Sequence, residues 1–569
     1  MDKYFVLLGE NPLLWGQVCH LRELGYKVIL VAWGDKPRIQ GDLYIQKDIK
    51  DSFGVINCLE DLRMKGMVSG ALSRIDLAVP TLNAINAWCG NKTMPDKFNK
   101  VLSKNEMRDA WMQVGVFNRI SKMDDEITVE ELFNVSQQMK LICKPDVAAS
   151  SRGITILEKG QTKEALQEAL DLAKETSFNG KCLIEEFVEG EEFTVDMLGD
   201  AYGNVCCYGS SIQHHSKYAL HNHVTVIHHW NSRKYNDETW EHIAEFGIQC
   251  YKALGLNSMF GHLEIIMKED GTFTPVEMGA RSSGFICSHT VWKASGHDYL
   301  ADYIDVLHGG KVKNGHYLNG ENASMWFGYD IPSNSTSVQE ANITQFLDPR
   351  ITVLFENHDG LKVGEHYGDY INDGDRDKFG YAILYGPRDI MTYENVQESN
   401  ERFLDVFLGR NNHFKYFQTS NLKLVNYSNT YFDLSKVWLS NIETNHLTCT
   451  GNLPSDESRK VWFESLSHRE DYLIWGVEYN KEPIGACGLK HIENNEAEYW
   501  GYIGVKTLWG KGLGKFLLSE TLLKAEVLGL KKVYLRVIKD NERAFRLYQS
   551  FGFVIYQEDD EFYLMSLNI

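Results

Sequence analysis

The sequence predicts a multidomain protein that combines α/β and α+β folds, and three observations support this fold class. The length of 569 residues exceeds what a single hydrophobic core usually spans. The chain opens with the pattern of a strand, a helix and a second strand. Near its other end, a glycine-rich turn from Gly510 to Gly514 precedes a helical pattern. Hydrophobic residues at 43% and charged residues at 24% indicate folded material throughout.

The charge and cysteine content narrow the class of partner. A net charge of −20, from 58 basic and 78 acidic side chains, argues against nucleic acid or anionic lipid as a partner. The 11 cysteines form no C-x-x-C pair and no zinc-like spacing, as in a reducing compartment. The first residues lack the long apolar region typical of a signal peptide, and the sequence has no run of about 18 apolar residues. We therefore expect a cytoplasmic protein that acts on small molecules and does not bind membranes; the sequence leaves a homo-oligomer open.

The first element group is a βαβ unit of a parallel sheet. Tyr4 to Gly9 reads as an apolar strand, Leu13 to Leu24 has helical spacing, and Lys27 to Val31 is a second strand. The turn after the first strand is not the G-x-G-x-x-G fingerprint, so dinucleotide binding is not indicated.

From Lys140 onward the pattern becomes α+β, with helices expected on one side of an antiparallel sheet. A further β-rich stretch extends to Tyr385, and a polar joint at 414–421 precedes a new strand at Leu422. The predicted strands and helix of the first part are 141–145, 153–157, 163–175 (helix), 182–187, 193–197, 259–267 and 273–278.

A candidate anion site surrounds Lys144. This strand lysine stands four residues ahead of Ala148 to Gly153, a run of small residues that includes Ser150 and Ser151. Such a loop can expose backbone N–H groups to phosphates while the lysine supplies a positive charge. A lysine with a polar turn nearby is also common without any ligand. Glu185, Glu186 and Val188 end a strand with the acceptors and backbone edge that adenine recognition needs.

Two carboxylates on neighbouring strands suggest a metal site. Glu264 and Glu277 would repel each other unless a cation lay between them, and oxygen ligands suit Mg²⁺. Each glutamate alone could equally be a solvated strand residue. Arg281, on the second strand, could hold a carboxylate or phosphoryl group by a forked contact.

With these residues, positions 1–413 resemble the ATP-grasp ligases. The resemblance implies a Rossmann-like pre-ATP-grasp domain at 1–100 and an ATP-grasp domain of two α+β subdomains at 101–413. It also implies ATP and Mg²⁺, and an acylphosphate that passes to an amine with release of ADP and phosphate. Many relatives read E-x-N-x-R at the last motif, whereas Gly279 here replaces the metal-binding asparagine. The matching residues are Lys104, Arg108, Gly115-Val116, Lys144, Ala149 to Gly153, Glu185, Glu186, Val188, Gly190, Glu192, Glu264 and Glu277.

A histidine-rich segment has two interpretations. In ATP-grasp ligases this region often contacts the acceptor, but a partly exposed strand pair explains the same residues. They are His214, His215, Lys217, His221 and His223.

The C-terminal motif indicates a second anion site. A helix expected from Lys515 to Leu528 follows Gly510, Lys511, Gly512, Leu513 and Gly514, and a helix N-terminus behind glycines binds phosphate groups well. One strand later comes N-x-x-A-x-x-L-Y-x-x-x-G-F, beginning at Asn541.

Together these motifs make residues 421–569 resemble the GNAT N-acyltransferases, which implies a GNAT fold and acetyl-CoA. By resemblance, Val505, the glycine turn and Asn541 contact the cofactor. Tyr548 would protonate the leaving thiolate, although a core aromatic fits its spacing too. Glu498 is the candidate base, directly or through water. Trp509 stands where the family often has glutamine or arginine.

The aromatic segments around Trp438, Trp462, Trp475 and Trp500 resemble the N-acetyltransferases of pseudaminic acid synthesis, which act on a UDP-linked 4-amino-4,6-dideoxy sugar. We therefore expect a bifunctional enzyme that forms two amides in nonulosonic acid or surface glycan biosynthesis. One alternative is an amino acid or dipeptide ligase with an N-acetylating domain. Another is a non-catalytic nucleotide-binding module that regulates the acetyltransferase.

Overall fold

The computed structural model describes residues 3–11, 14–93, 98–148, 152–219, 224–283, 287–317, 321–369, 379–410 and 422–569. The chain divides into two compact units, and each is built from separate stretches of sequence. The first unit is 1–334, 352–360 and 367–393, and the second is 335–351, 361–366 and 394–569. The predicted joint at 414–421 lies outside the described residues, and the limits 1–100, 101–413 and 421–569 stay predictions.

The first unit opens with the predicted parallel sheet, in the order β3-β2-β1-β4. Its two central strands read as continuous apolar runs because both faces are buried. The elements are β1 (Tyr4–Leu8), α1 (Trp15–Glu23), β2 (Lys27–Ala32), β3 (Leu43–Gln46), α2 (Ser52–Asp61), β4 (Val68–Ser73) and α3 (Val79–Cys89).

A small antiparallel sheet follows, in the order β5-β8-β6-β7. The three helices of this region are capped by the side chains of Ser103, Thr128 and Thr162, which accept hydrogen bonds from backbone N–H groups in the first helical turn. The elements are α4 (Lys104–Gln113), β5 (Ser121–Met123), α5 (Val129–Ser136), β6 (Leu141–Pro145), β7 (Thr155–Leu157), α6 (Lys163–Thr176) and β8 (Cys182–Glu186).

The large sheet has the strand order β13-β12-β9-β10-β11-β15-β19-β17, with β14 beside β10. The helix α7 packs against Phe193 and Val195 on one face. Its elements are β9 (Glu191–Gly199), β10 (Val205–His215), β11 (Thr225–Trp230), α7 (Asp237–Ala253), β12 (Met259–Met267), β13 (Phe273–Gly279), α8 (Cys287–Ser295), α9 (Tyr299–Leu307), β14 (Gly315–His316), β15 (Asn322–Gly328), β17 (Thr352–Asn357) and β19 (Tyr381–Pro387).

The expectation of helices on one side of this sheet is wrong. The ring of Phe260 on β12 stacks on Tyr303 of α9 with 4.3 Å between centroids, on the face opposite α7. Both faces of the sheet are therefore covered by helices.

The second unit contains a seven-stranded sheet in the order β20-β21-β22-β23-β24-β26-β25. The parallel pair β23 and β24 is bonded only where Glu496–Glu498 meets Lys532–Tyr534, and the two strands then separate. The elements are β16 (Ser335–Thr336), β18 (His366–Tyr367), α10 (Tyr393–Phe407), β20 (Leu422–Asn426), α11 (Asn429–Leu439), α12 (Ile442–Leu447), α13 (Asp456–Ser465), β21 (Tyr472–Tyr479), β22 (Glu482–Glu493), β23 (Glu496–Ile503), α14 (Leu513–Val527), β24 (Lys532–Ile538), α15 (Glu542–Ser550), β25 (Val554–Glu558) and β26 (Phe562–Asn568).

The helix α14 is buried on more than one side. Leu517 and Leu518 join the core of the sheet. The buried ammonium of Lys524 donates to the carbonyl oxygens of Thr344 (2.8 Å) and Leu347 (3.0 Å). Burial lowers the pKa of Lys524 to about 8 and raises that of Glu520, one turn earlier, to about 7. The segment 335–351 therefore belongs to the same compact unit as this helix.

The helix α14 begins at Leu513, two residues before the predicted start, because Gly512 is its N-cap with a left-handed φ of 83°. Among the described residues, no helix is both long and apolar enough to cross a bilayer.

Candidate active sites

The first candidate site is organised around the buried carboxylate of Glu185. Its Oε1 accepts from Arg108 Nε (2.6 Å) and Ser121 Oγ (3.0 Å). Its Oε2 accepts from Arg119 Nη2 (3.4 Å) and from the ammonium of Lys144. The side chain is thus engaged by the protein itself. The adenine contact predicted for Glu185, Glu186 and Val188 stays a prediction, and the Glu185 carboxylate is already occupied.

Three cations share this single carboxylate, and the excess positive charge fits an anion. Burial and repulsion by Arg108 and Arg119 lower the pKa of Lys144 to about 7, against the attraction of Glu185. Burial raises the pKa of Glu185, but the cations hold it well below its usual value. A phosphate near Lys144 would restore the ammonium charge, which agrees with the predicted role of this lysine.

The two glutamates predicted to bind a metal lie on neighbouring strands, and their metal role stays a prediction. Glu264 on β12 and Glu277 on β13 are directly opposed in register. The ammonium of Lys104 lies 2.9 Å from Glu277 Oε2. Burial raises the pKa of Glu277, but Lys104, Lys144 and Arg281 lower it to about 2, so the carboxylate is ionised. Within the described ranges no three His, Cys, Asp or Glu side chains could hold a metal; two carboxylates still fit Mg²⁺, which usually takes one or two together with phosphates and water.

Because Gly279 has no side chain, the ion pair of Arg281 and Asp76 can lie next to it. Arg281 Nη2 donates to Asp76 Oδ2 (2.9 Å), and Nη1 donates to the Ser282 carbonyl (3.1 Å). A Cβ atom at position 279 would lie 2.9 Å from Asp76 Oδ1 and 3.1 Å from Arg281 Cζ. A side chain at position 279 would therefore require Asp76 and Arg281 to shift. The buried Nε of Arg281 has no partner among the described groups, so one donor remains for an anion.

The structure describes only some of the other residues that were predicted to bind the nucleotide. Ser150 and Ser151 lie outside the described residues, whereas Gly153 is placed against Thr176 with no room for a Cβ. Glu192 Oε2 lies 3.4 Å from His215 Nε2. Both border a cavity of about 670 Å³ at the ends of β10 and β12, which His214 and Tyr393 also line.

The histidine segment divides between the two faces of the sheet. The His214 ring stacks on Tyr393 at 4.1 Å, and burial lowers its pKa to about 3. The Lys217 N–H donates to Asp330, while His221 and His223 lie outside the described residues. Among the described members of this segment, His214 and Lys217 therefore have different partners.

The second candidate site uses backbone geometry. Beyond Glu498, β23 no longer pairs with β24, so its peptide groups face an open wedge. At the mouth of the wedge stand Gly510, Lys511, Gly512, Leu513 and Gly514, where the first N–H groups of α14 have no intrahelical partner. This arrangement suits an extended ligand with an anionic end. Val505 is less available, because its N–H donates to the Ile484 carbonyl (3.2 Å).

Trp509 does not replace the polar residue of relatives directly. Its indole N–H donates to the Ile503 carbonyl (2.7 Å), which turns the ring onto the end of β23. The Arg543 guanidinium lies 5.1 Å from that ring and Lys506 lies 5.3 Å from it. The sequence analysis missed Arg543; its position two residues after Asn541 in the motif was the available signal.

Tyr548 lies on α15, and Asn541 is the N-cap of the same helix. Burial raises the pKa of Tyr548, which keeps the hydroxyl protonated, and its ring lies 6.1 Å from that of Tyr499. The Asn541 side chain accepts from the Ala544 N–H (3.1 Å) and donates to the Leu447 carbonyl (3.4 Å). Asn541 therefore caps its helix, and any cofactor contact would be additional.

Glu498 is already neutralised. Its carboxylate lies 3.0 Å from Lys490 Nζ and 3.2 Å from His491 Nδ1, and it occupies the last paired position before the wedge. Direct proton abstraction would have to compete with both partners, so a water-mediated role fits this geometry better.

Comparisons with known proteins also place the two candidate sites in two different families. Residues 137–290 match the ATP-grasp domain, and residues 439–553 match the acetyltransferase (GNAT) family. The chain is similar in structure to L-amino acid ligase of Bacillus licheniformis, with 15% identity, a TM-score of 0.53, and coverage of 71% of this chain and 97% of that one. At this identity the likeness defines the fold.

Three curated relatives divide between the same two regions. D-alanine–D-alanine ligase of Actinobacillus succinogenes is 23% identical over 40% of this chain and 70% of that protein. Alanine–anticapsin ligase of Bacillus subtilis is 26% identical over 37% of this chain, and the match spans 47% of that ligase. Acetyltransferase PseH of Campylobacter jejuni is 30% identical over 21% of this chain and 68% of that protein.

Fold and site together define a mixed α/β protein that joins an ATP-grasp ligase fold to an acetyltransferase fold. By its C-terminal domain the chain belongs to the GNAT acetyltransferase family, and an ATP-grasp domain precedes it. The cofactors of these classes are ATP with Mg²⁺ and acetyl-CoA, as the sequence predicted.

Proposed function

We propose that this protein is a bifunctional, amide-forming enzyme: an ADP-forming carboxylate–amine ligase joined to an acetyl-CoA-dependent N-acetyltransferase. The observation that carries the proposal is the coexistence, in one chain, of a buried cation cluster facing a glutamate pair and a wedge between strands that ends at a helix N-terminus.

In the ligase half, Glu264 and Glu277 would hold Mg²⁺, which offsets the charge of the nucleotide phosphates. Lys104 and Lys144 would neutralise the migrating phosphoryl group, and Arg281 would orient the anionic substrate. In the acetyltransferase half, the N–H groups of 510–514 would bind pyrophosphate, and Tyr548 would give its proton to the thiolate.

For the acetylated substrate we propose a nucleotide-linked amino sugar of pseudaminic-type nonulosonic acid or surface glycan biosynthesis. Support comes from the similarity to acetyltransferase PseH and from the aromatic side chains that line one face of β23. Mass spectrometry after incubation with acetyl-CoA and a UDP-4-amino-4,6-dideoxy sugar tests this, with an added acetyl group as the expected product. If the sugar stays unchanged while acetyl-CoA is consumed with another amine, the proposed sugar substrate is wrong but the proposed acetyltransferase activity stands.

A second candidate is an amino acid ligase whose product is acetylated. The relatives named as alanine–anticapsin ligase and D-alanine–D-alanine ligase favour it. Measuring ADP release with single amino acids and with pairs, each with and without an amino sugar, separates the two: release stimulated by pairs alone supports this candidate.

A further inference from the structure

A cavity of about 580 Å³ in the second unit has no role in the functions described so far. It opens between α12, with the two residues before that helix, and the short 3₁₀ turn that begins at Lys506 after β23. Its walls contain both charged and apolar side chains. The lining residues are Ser440, Asn441, Ile442, Glu443, His446 and Lys506.

The cavity adjoins the glycine turn that is proposed to bind pyrophosphate. The ammonium of Lys506 lies 5.3 Å from the centroid of the Trp509 ring, and Trp509 directly precedes Gly510. Another wall reaches the start of α15, because His446 Nε2 lies 3.3 Å from Asp540 Oδ2, next to the N-cap of that helix. A pyrophosphate bound by the N–H groups of the turn would therefore lie next to this cavity.

The two basic side chains of the cavity can be reached by an anion. Lys506 pairs with Glu443, and His446 pairs with Asp540, but the two carboxylates are 56% and 75% exposed. Exposed ion pairs of this kind contribute little to stability. A phosphate group can therefore replace Glu443 at the ammonium of Lys506, and the imidazole of His446 can add a hydrogen bond.

An exposed apolar side chain provides a different kind of contact. Ile442, in the first turn of α12, is 88% exposed. A flat heterocycle lying on this side chain would remove apolar surface from water. The side chains of Ser440 and Asn441 already make hydrogen bonds within the protein. Recognition of a ligand therefore falls to Ile442 and to the two basic side chains.

We propose that this cavity binds the 3′-phosphoadenosine end of acetyl-CoA, with the 3′-phosphate at Lys506 and His446 and the adenine against Ile442. This inference rests on the proposed acetyltransferase function. With the pyrophosphate at the glycine turn, the pantetheine arm enters the wedge and the nucleoside leaves on the side of Trp509. Pyrophosphate, 3′-phosphate and base then each meet a matching surface: N–H groups, basic side chains and an apolar side chain.

The test compares three ligands that share the pantetheine arm. CoA, dephospho-CoA and 4′-phosphopantetheine are titrated into the full-length protein by calorimetry; dephospho-CoA lacks the 3′-phosphate, and 4′-phosphopantetheine also lacks the adenosine. The wild-type protein should bind CoA about 10-fold more tightly than dephospho-CoA. Lys506→Gln should weaken CoA binding by about 10-fold and change dephospho-CoA binding by less than about 2-fold.

A second variant tests the contact with the base. Ile442→Ser should weaken the binding of CoA and of dephospho-CoA by the same factor, about 3-fold, and leave 4′-phosphopantetheine unchanged. The matched controls are Lys460→Gln and Val461→Ser, at exposed positions on α13 that do not line the cavity. Both controls should bind all three ligands as the wild-type protein does.

Each other result counts against a defined claim. A wild-type protein that does not bind CoA would contradict the acetyltransferase proposal and this inference with it. Equal wild-type affinities for CoA and dephospho-CoA would overturn this inference alone, as would a Lys506→Gln variant that binds all three ligands equally more weakly. UDP binding that persists in saturating CoA and is lost in Lys506→Gln would assign the cavity to the acceptor and also overturn it.

Discussion

The ligase cleft and the acetyltransferase wedge, the two proposed anion sites, are built by different means. In the cleft, buried side chains from distant parts of the sequence meet, as Lys144, Arg108 and Arg119 do around Glu185. In the wedge, local backbone geometry does the work: a glycine turn, a helix N-terminus and two strands that separate. A site made of charges is sensitive to protonation and to single side chains, whereas a site made of peptide groups is sensitive to backbone conformation.

The sharpest test of this contrast removes one cation. Lys144→Met should lower ADP formation by on the order of 10²–10³-fold, because a buried charge aimed at the phosphates is lost. Acetyl transfer should be unchanged, measured as free thiol release from acetyl-CoA. Lys140→Met is the matched control, since Lys140 lies on the border of the same strand but pairs with Glu158. Equal loss of both activities would show that the substitution acts through folding.

The reciprocal test removes the hydroxyl of Tyr548. Tyr548→Phe should lower kcat for acetyl transfer by about 10²-fold with little change in the KM for acetyl-CoA, because proton donation is lost while packing on Tyr499 remains. ADP formation should stay at the wild-type rate. Tyr556→Phe, at an exposed position on β25, is the control. A wild-type kcat in Tyr548→Phe would show that Tyr548 is a core aromatic residue and does not donate the proton.

The pH dependence of ligand binding should provide a third, smaller contrast between the two sites. The pKa of Lys144 lies at about 7 without an anion, so at pH 8 most of this lysine is neutral and binding MgADP must draw a proton from solvent. Affinity for MgADP should therefore fall by up to about tenfold per pH unit above pH 7. Calorimetry in buffers of different ionisation enthalpy measures the uptake. Acetyl-CoA binding should show no such uptake, and uptake at both sites would remove the distinction.

The smallest expected effect concerns backbone conformation. Gly512 has a φ of 83° and Gly529 a φ of 72°, each with open space where a Cβ would stand. Alanine at either position should cost a similar roughly 1–2 kcal/mol of stability. Only Gly512→Ala should also raise the KM for acetyl-CoA, by a few-fold, because it distorts the helix N-terminus. An equal rise in Gly529→Ala would assign the effect to general destabilisation.

The same contrast explains what the sequence predicted well. The CoA motif is contiguous, so spacing alone located the glycine turn and the helix behind it. The opposition of Glu264 and Glu277 was also predictable, because both lie within recognisable strands that follow one another in the chain. Adjacent strands bring such positions into register.

Long-range arrangements escaped the sequence analysis. Nothing near Glu185 in the sequence shows that Arg119 and Lys144 neutralise it, and nothing near Gly279 shows that Asp76, some two hundred residues away in the chain, reaches Arg281.

The buried Lys524 also bears on how the two activities can be separated. It lies on an acetyltransferase helix but finds its hydrogen-bond acceptors at Thr344 and Leu347, which precede the ligase strands β17 and β19 in the chain. No single cut leaves each core intact, because the polypeptide returns to the first unit after contributing to the second. Separating residues 335–351 from the C-terminal part of the chain would remove both carbonyl acceptors of Lys524 and uncover this face of α14.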